Sequence, residues 1–300
     1  MIIHTENLHK AFGRFEALRG LSMSVPRGSV FALIGANGAG KTTTIKVLMN
    51  LMRPASGAAT VLGVDSRELS PRERAQIGYV SENQVMPGRL SVAHYLDYLR
   101  PFYSTWDPEL EKSLLQQLRL PMERKIKDLS HGMRLKMALA CALPFKPLLL
   151  VLDEPFSGLD PLIREEFMEQ LLIQAGETTI LISSHELSDI EAAATHVAYI
   201  EQGRLLFQEG MDELRARTRE VRITLVDAAV APASPPAHWL GMKALGSVIS
   251  FVDVQFNEEH FRAHLSAQLK GICDVQVQPV ALKDIFTTLA RAAQAGKLPA

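Results

Sequence analysis

The segment 35–42, with the sequence Gly-Ala-Asn-Gly-Ala-Gly-Lys-Thr, fits the spacing G-x-x-x-x-G-K-[ST] at every position. Its glycines allow a loop to wrap closely and to point backbone N–H groups inward at an anion. Lys41 adds a positive charge for the β- and γ-phosphates, Thr42 a hydroxyl ligand for Mg²⁺, and Thr43 a contact to the α-phosphate. The spacing predicts a phosphate-binding loop, a feature shared by kinases, GTPases and many ATPases.

A second group of chemical interest is the acid pair Asp153-Glu154, which follows the apolar run at residues 148–152. Asp153 at the end of a strand is placed to hold Mg²⁺, directly or through water. Glu154 can orient or deprotonate an attacking water, as carboxylates near a γ-phosphate do. Acid pairs are also common in solvated turns, so this pair gains meaning only in combination with the phosphate loop.

The phosphate loop and the acid pair must each be positioned by a buried strand that precedes it. The runs 30–34, 148–152 and 179–183 are apolar enough for strands buried on both faces. A helix is predicted from Lys41 to about Met52. Another is predicted to start with Asp160 as its cap and Pro161 as its first residue, with the apolar residues Ile163, Phe167 and Leu171 on one face, and to end at Gly176. A further helix is predicted to begin near Leu187. Alternation of strands and helices favours an α/β fold with a largely parallel sheet.

The remaining segments divide the chain into two parts. Residues 1–35 are predicted to form short strands (2–8, 15–25 and 29–34), and residues 66–145 to be mainly helical. A hairpin is predicted to turn at residues 202–203. After about residue 218 the pattern changes to strands at 221–226, 247–254 and 273–280 with helices at 258–269 and 282–293. We therefore expect one domain over 1–218 and a small α+β domain over 219–300.

The net charge and the distribution of apolar residues limit the kinds of partner that we expect for this protein. A formal net charge of −1 gives no overall attraction to nucleic acid, so none is expected as a partner. The start lacks the basic and apolar regions of a signal peptide, and no apolar run approaches the ~20 residues of a spanning helix. Any role at a membrane must then depend on a partner. Cys141 and Cys273 form no pattern typical of disulfides or zinc.

Taken in order, five motifs resemble those of the ATP-binding-cassette ATPases over residues 1 to about 215. They are the phosphate loop 35–42, the segment 77–82 at the glutamine-loop position, Leu129-Ser130-His131-Gly132-Met133 at the signature position, Asp153-Glu154-Pro155 with the loop 157–160, and Ser183-Ser184-His185. The resemblance implies a P-loop NTPase cassette: an α/β fold with a mostly parallel sheet, an N-terminal antiparallel β part and a helical insert at about 83–145. The small C-terminal α+β domain follows it.

The resemblance also implies roles for individual residues, with ATP as substrate and Mg²⁺ as cofactor. Phe12 stands where the family stacks a ring on adenine, His185 where it contacts the γ-phosphate and the attacking water, and Glu154 and Lys41 complete the catalytic set. Ser130 and Gly132 would meet the γ-phosphate held by a second subunit, with Asp160 near the same interface. The remaining nucleotide contacts implied are Gly35, Asn37, Gly38, Gly40, Thr42, Thr43 and Glu82, and the metal ligands are Thr42, Asp153 and Glu82.

The same resemblance implies partners. One phosphate loop and one signature per chain call for a head-to-tail homodimer, or a pseudo-symmetric dimer with a related cassette. A transmembrane permease subunit on a separate chain would place the protein peripherally on the cytoplasmic face of the cell membrane. The tail from about Arg219 looks like the accessory domain of some bacterial exporter ATPases, and its residues 280–286 are similar to the closing motif of that subgroup. The aromatic residues in the insert, from Tyr95 to Trp106, are its own core or, for one or two of them, a docking surface.

Two rival functions are weighed against a transporter subunit. A cassette ATPase acting on ribosomes or DNA commonly has two fused cassettes or long coiled coils, and neither is found in this sequence. A phosphate-loop kinase or GTPase would share the loop but not the segment 130–132 or the acid pair.

Two residues depart from the family pattern. Glu82 stands where most members have Gln, and a carboxylate there can still ligate Mg²⁺ or hold a water. His131 replaces the first glycine of the signature L-S-G-G-Q. Its imidazole would either offer a donor or a charge to the nucleotide across the dimer interface, or merely face outward.

Overall fold

The computed structural model describes residues 1–82, 84–174, 177–186, 190–232 and 234–295. This part of the chain forms two compact units, which divide between Gln208 and Glu209. Among the described helices, none combines the length and apolar character needed to cross a membrane.

The main sheet of the first unit is largely parallel. Within the described residues it has six strands in the order β10-β9-β3-β8-β7-β6. These strands are β3 (Val30–Ile34), β6 (Ile77–Ser81), β7 (Leu149–Asp153), β8 (Thr179–Ser184), β9 (His196–Glu201) and β10 (Arg204–Gly210). Every residue of β3, β7 and β8 is buried, because helices and the second sheet cover both faces of such strands. The predicted α/β fold with a mostly parallel sheet is confirmed.

A smaller antiparallel sheet occupies the N-terminal part of the same unit, with the strand order β2-β1-β4-β5 in the described chain. Its strands are β1 (Ile3–Phe12), β2 (Phe15–Val25), β4 (Ser56–Val61) and β5 (Val64–Asp65). β1 is longer than the predicted 2–8, because its second half pairs with β2 up to Phe12 opposite Phe15. β4 and β5 were not predicted.

The helices of the first unit follow the strands that carry the motifs. They are α1 (Lys41–Leu48), α2 (Pro71–Arg74), α3 (Val92–Leu99), α4 (Pro108–Leu118), α5 (His131–Ala142) and α6 (Pro161–Gln174). α1 stops at Leu48, short of the predicted Met52, since Asn50 at φ 54° has left the helical conformation. The prediction that residues 66–145 are mainly helical is wrong for residues 77–81, which form β6 and pair with β7.

The start of α6 agrees with its sequence, because Ile163 N–H donates to Asp160 Oδ1 over 3.1 Å and Pro161 is the first helical residue. The predicted end at Gly176 lies outside the described residues. So do residues 187–189, where a further helix was predicted to begin, and the described residues 190–193 form turns instead.

The second unit is built on an antiparallel sheet with its own core. Its described strands have the order β12-β13-β11-β14, and helices precede and cover them. These elements are α7 (Met211–Arg217), β11 (Arg219–Leu225), β12 (Trp239–Leu245), β13 (Val248–Asp253), α8 (Glu258–Gln268), β14 (Ile272–Pro279) and α9 (Leu282–Gln294). Alternate residues of β11 and β13 pack with Phe261 and Leu265 of α8. β12 was not predicted.

Candidate functional site

The phosphate loop lies between β3 and α1, and two of its glycines are packed against neighbouring backbone. A Cβ on Gly35 would lie 2.3 Å from the carbonyl oxygen of Ile200, and one on Gly40 would lie 2.8 Å from that of Ala17. Gly38, at φ 82°, would meet nothing within 4 Å. The loop is therefore fixed to the sheet at both ends, while its middle borders open space, as a cradle for an anion requires.

Lys41 carries its charge inside this loop. The side chain is 4% exposed, and Nζ donates to the carbonyl oxygens of Gly35, over 2.6 Å, and Ala36, over 3.2 Å. Nζ also lies 2.9 Å from Glu154 Oε1. A buried ammonium is stable only with such compensating acceptors, so the loop and the carboxylate together hold the cation at the cleft.

Asp153 is the last residue of β7, and one of its carboxylate oxygens accepts hydrogen bonds from two hydroxyl groups. Thr42 Oγ1 donates to Asp153 Oδ1 over 3.0 Å, and Ser183 Oγ donates to the same oxygen over 2.8 Å. Burial raises the pKa of Asp153, and the hydrogen bonds from Ser183 and Thr42 partly offset that rise. No role was predicted for Ser183 from the sequence. Its position follows from the parallel pairing of Asp153 with Ser183 across β7 and β8.

Glu154 is the next residue and has an unusual backbone, with φ 50°. Its N–H donates to Ser183 Oγ over 2.9 Å, and His185 Nδ1 donates to its Oε2 over 2.9 Å. Burial alone would raise the pKa of Glu154. The hydrogen bonds and positive charges of His185 and Lys41 outweigh burial and hold the pKa below its usual value. Glu154 is therefore anionic at neutral pH, the state that a general base needs.

The cleft beside these groups has a volume of about 280 Å³. Nine residues proposed from the sequence line it: Phe12, Asn37, Gly38, Gly40, Lys41, Thr42, Thr43, Glu82 and Glu154. Phe15 and Ala17, which the sequence did not single out, line it too. Phe15 faces Phe12 at the end of the β1–β2 hairpin, and both rings are about half exposed. The signal in the sequence that could have identified Phe15 is the hairpin turn that directly follows Phe12, because such a turn places the next aromatic residue beside the first.

The signature residues lie elsewhere. Ser130 caps α5 by accepting a hydrogen bond from Met133 N–H, and its side chain is exposed. Gly132 is buried, where a Cβ would meet Ile163 Cδ1 at 2.8 Å. Asp160 is exposed at the start of α6. None of these three described residues lines the cleft.

His131 is paired within its own chain, since Nε2 lies 3.1 Å from the carbonyl oxygen of Ser157. The ring also borders a small cavity whose lining includes Glu82, Ser81 and Arg134. The two departures from the family pattern thus border one space. The expectation of a histidine that merely faces outward is wrong.

Mg²⁺ fits the oxygen groups at the end of β7. Among the described residues no group of three or more His, Cys, Asp or Glu side chains could hold a metal by themselves. Mg²⁺ at phosphate sites takes only one or two protein oxygens and completes its shell with phosphate and water. Thr42 Oγ1 and the Asp153 carboxylate meet that need, and Glu82, whose N–H donates to the Asp153 carbonyl over 3.1 Å, lies beside them.

A phosphate loop after β3, an acid pair after the parallel strand β7 and an aromatic hairpin over one cleft define a phosphate-loop nucleotide-binding cassette. The sequence profile of the family described as "ABC transporter" matches residues 18–157. The chain belongs to that family, as an ABC transporter ATP-binding subunit.

Similar proteins extend the match over most of the chain. The probable multidrug ABC transporter ATP-binding protein YbhF of Escherichia coli (strain K12) is 32% identical over 72% of this chain and 38% of its own length. The bacitracin transport ATP-binding protein BcrA of Enterococcus faecalis is 32% identical over 73% of this chain and 72% of its own. A solved structure, described as the ATP-binding subunit of an ABC transporter, aligns with a TM-score of 0.66 at 30% identity, over 72% of this chain and 92% of that one. This chain therefore spans well under half of the Escherichia coli relative but most of the other two.

Proposed function

We propose that this chain hydrolyses ATP, works as a dimer and drives an exporter whose membrane-spanning subunits lie on another chain. The observation that carries the proposal is the placement of Glu154 in the cleft wall, held anionic between Lys41 and His185. That arrangement supplies a base beside a phosphate cradle, and a cassette that only bound nucleotide would not need it.

Each side chain of the cleft has a proposed part in the reaction. Lys41 and the loop N–H groups hold the β- and γ-phosphates, and Phe12 stacks on the adenine. Glu154 accepts the proton of the attacking water, and His185, already bonded to its Oε2, holds that carboxylate in place and approaches the γ-phosphate. Mg²⁺, held by Thr42, Asp153 and Glu82, would neutralise charge that develops on the phosphates.

The dimer is proposed because the signature stands apart from the cleft. Ser130, Gly132 and Asp160 line no part of it, although the resemblance assigns all three to a nucleotide contact or the interface beside it. Two copies related head to tail would bring the signature of each onto the nucleotide of the other. A dimer with a related cassette would satisfy the same requirement.

Export, and a place on the cytoplasmic face of the membrane, are supported by the relatives. Two of them are named as ATP-binding proteins of multidrug and bacitracin transport. A separate permease is proposed as the partner, and nucleic acid is not. Residues 1–218 are proposed as the cassette and 219–300 as an accessory domain, although α7 falls in the second compact unit, which begins at Glu209.

The enzymatic part is tested by measuring phosphate release from ATP with Mg²⁺ for the wild type and for Glu154→Gln. We expect a fall in kcat of roughly 10²- to 10⁴-fold, the usual contribution of a general base, with ATP binding retained. Lys41→Ala serves as the matched variant that should lose binding as well. Equal turnover of wild type and Glu154→Gln would remove Glu154 from its proposed role.

The transport part is tested by purifying tagged Glu154→Gln from solubilised membranes of the native host with ATP present. A stoichiometric protein with several membrane spans is the expected partner. Recovery of ribosomes, nucleic acid or the homodimer alone would contradict the transporter function while leaving the ATPase intact.

A further inference from the structure

The first residue of α5, His131, makes a contact that a glycine at this position could not make. Its Nε2 lies 3.1 Å from the carbonyl oxygen of Ser157. A carbonyl only accepts, so Nε2 carries the hydrogen and donates. The ring also lies beside Gly158, the residue after Ser157, since a Cβ on that glycine would come within 3.9 Å of the ring's Cδ2.

The loop that His131 holds begins at the proposed catalytic base. Ser157 N–H donates to the carbonyl oxygen of Glu154 over 3.3 Å, and Leu159 N–H donates to that of Phe156 over 3.2 Å. Phe156 and Leu159 are 2% and 7% exposed, so their side chains fix the loop from inside. A displacement of the Ser157 carbonyl would therefore also displace the backbone of Glu154.

The start of α5 is packed against the same loop on a second side. Gly132 is so close to Ile163 and Leu159 that a Cβ would meet their side chains at 2.8 and 3.6 Å. Ser130, the residue before His131, caps the helix and remains exposed. The signature end of α5 and the loop 157–160 thus form one tightly fitted surface, with the His131 hydrogen bond across it.

We propose that His131 is a positioning residue that couples the two nucleotide sites of the dimer. The inference rests on the proposed function, in which Ser130 meets the nucleotide of the partner and Glu154 acts on the nucleotide of its own chain. His131 joins these two groups through a single residue, Ser157. When the nucleotide of the partner fixes the start of α5 in place, the hydrogen bond from His131 also fixes the loop that begins at Glu154.

The test compares three substitutions in the full-length protein. His131→Gln keeps an N–H at the reach of Nε2, His131→Asn keeps one that falls short, and His131→Gly has none. Lys136→Gln is the matched control, because it removes the Lys136–Glu166 ion pair between α5 and α6 without touching the loop. For each protein, kcat, KM for ATP, the Hill coefficient and Tm are measured.

We expect His131→Gly and His131→Asn to lower kcat roughly 3- to 10-fold, the range for one hydrogen bond, and to bring the Hill coefficient toward 1. KM should stay within about twofold, because His131 does not line the cleft. His131→Gln should recover most of the kcat and the cooperativity, at a Tm equal to that of His131→Asn.

Three results would overturn the inference: unchanged kcat and Hill coefficient in His131→Gly, equal losses in the Gln and Asn variants, or the same loss in Lys136→Gln. A wild-type protein that does not hydrolyse ATP would instead contradict the proposed function. Failure of the proposed function is thereby distinguished from failure of the inference about His131.

Discussion

At the scale of single residues, the cleft depends on charges that stabilise one another. Lys41 and Glu154 are 4% and 14% exposed, and removal of either would leave the other buried without its main counter-charge. His185 adds a hydrogen bond from Nδ1 at Glu154 Oε2. This arrangement holds the pKa of a half-buried glutamate below its usual value although burial works to raise it, so the carboxylate stays ionised and can accept a proton.

The aromatic end of the cleft gives a prediction at the same scale. Phe12→Ala removes a ring whose stacking on a base is worth about 1–3 kcal/mol, so the Kd for ATP should rise roughly 5- to 150-fold. The Kd is measured by equilibrium titration in a Glu154→Gln background, so that hydrolysis does not interfere. Phe12→Tyr, which keeps the ring, is the control and should change the Kd by less than about threefold.

Phe15 lies opposite Phe12 in the hairpin, so the result that would contradict this prediction concerns Phe15. A weaker effect in Phe12→Ala than in Phe15→Ala would move the stacking role to Phe15. Lys10 Nζ lies over the Phe12 ring, 5.4 Å from its centre, and the ring is 47% exposed.

At the scale of elements, one buried carboxylate links α4 to the end of α3 in the segment between β6 and β7. Glu111 of α4 accepts from Arg100 Nε over 2.8 Å, from Arg100 Nη2 over 2.6 Å and from Trp106 Nε1 over 2.7 Å. Burial works to raise the pKa of Glu111, but the hydrogen bonds and the charge of Arg100 lower it below its usual value. α3, α4 and the turn between them therefore share a single ionic centre.

Glu111→Gln should destabilise the protein by about 1–3 kcal/mol at pH 7, because Arg100 loses its buried counter-charge and the new amide nitrogen cannot accept a hydrogen bond where a carboxylate oxygen did. Urea denaturation followed by tryptophan fluorescence measures the free energy of unfolding. Asp97→Asn is the matched control, since Asp97 also pairs with Arg100 but its side chain is 58% exposed, and it should cost less than about 1 kcal/mol.

The pH dependence of this pair has a definite sign. The folded-state pKa of Glu111 is below the unfolded value of about 4.3, so its ionisation stabilises the fold above that pH. The contribution is lost as pH falls through the folded pKa, where Glu111 is protonated in both states. The difference between wild type and Glu111→Gln should shrink below about pH 4. A difference that grows in acid would contradict the ionic account.

At the scale of the whole molecule, the nucleotide cleft of a chain does not include the signature residues of that chain. Ser130 and Asp160 are exposed, and neither lines the cleft. Bound ATP would place negative charge between two copies, where the phosphate loop of one and the α5 N-terminus of the other both favour an anion. Nucleotide should therefore control assembly.

Glu154→Gln with ATP and Mg²⁺ should elute as a dimer in size-exclusion chromatography with light scattering, and as a monomer without nucleotide. Binding linkage gives the reason, because ATP contacted by both copies would bind the dimer more tightly than the monomer. The double variant Lys41→Ala/Glu154→Gln should stay monomeric under both conditions. A Glu154→Gln protein that remains monomeric at saturating ATP would contradict the proposed homodimer and leave a related cassette as the partner.

By itself, the sequence determined the groups whose chemistry depends on near neighbours along the chain. The phosphate loop, the acid pair and the cap at Asp160 are fixed by spacing within a few residues, and the apolar runs before them fixed β3, β7 and β8. β4, with the sequence Ser-Gly-Ala-Ala-Thr-Val, and β12, which contains Gly241, escaped prediction because residues of low β-propensity become strands only through their partners.

Only the tertiary structure decided which groups meet across the fold. Parallel register brings Ser183 beside Asp153, hairpin pairing brings Phe15 opposite Phe12, and helix packing places His131 against Ser157. Each of these pairs except Phe12 and Phe15 joins residues more than twenty positions apart. Their contacts arise from strand pairing and from close packing of side chains, which depend on the whole fold, so no local pattern could have named them.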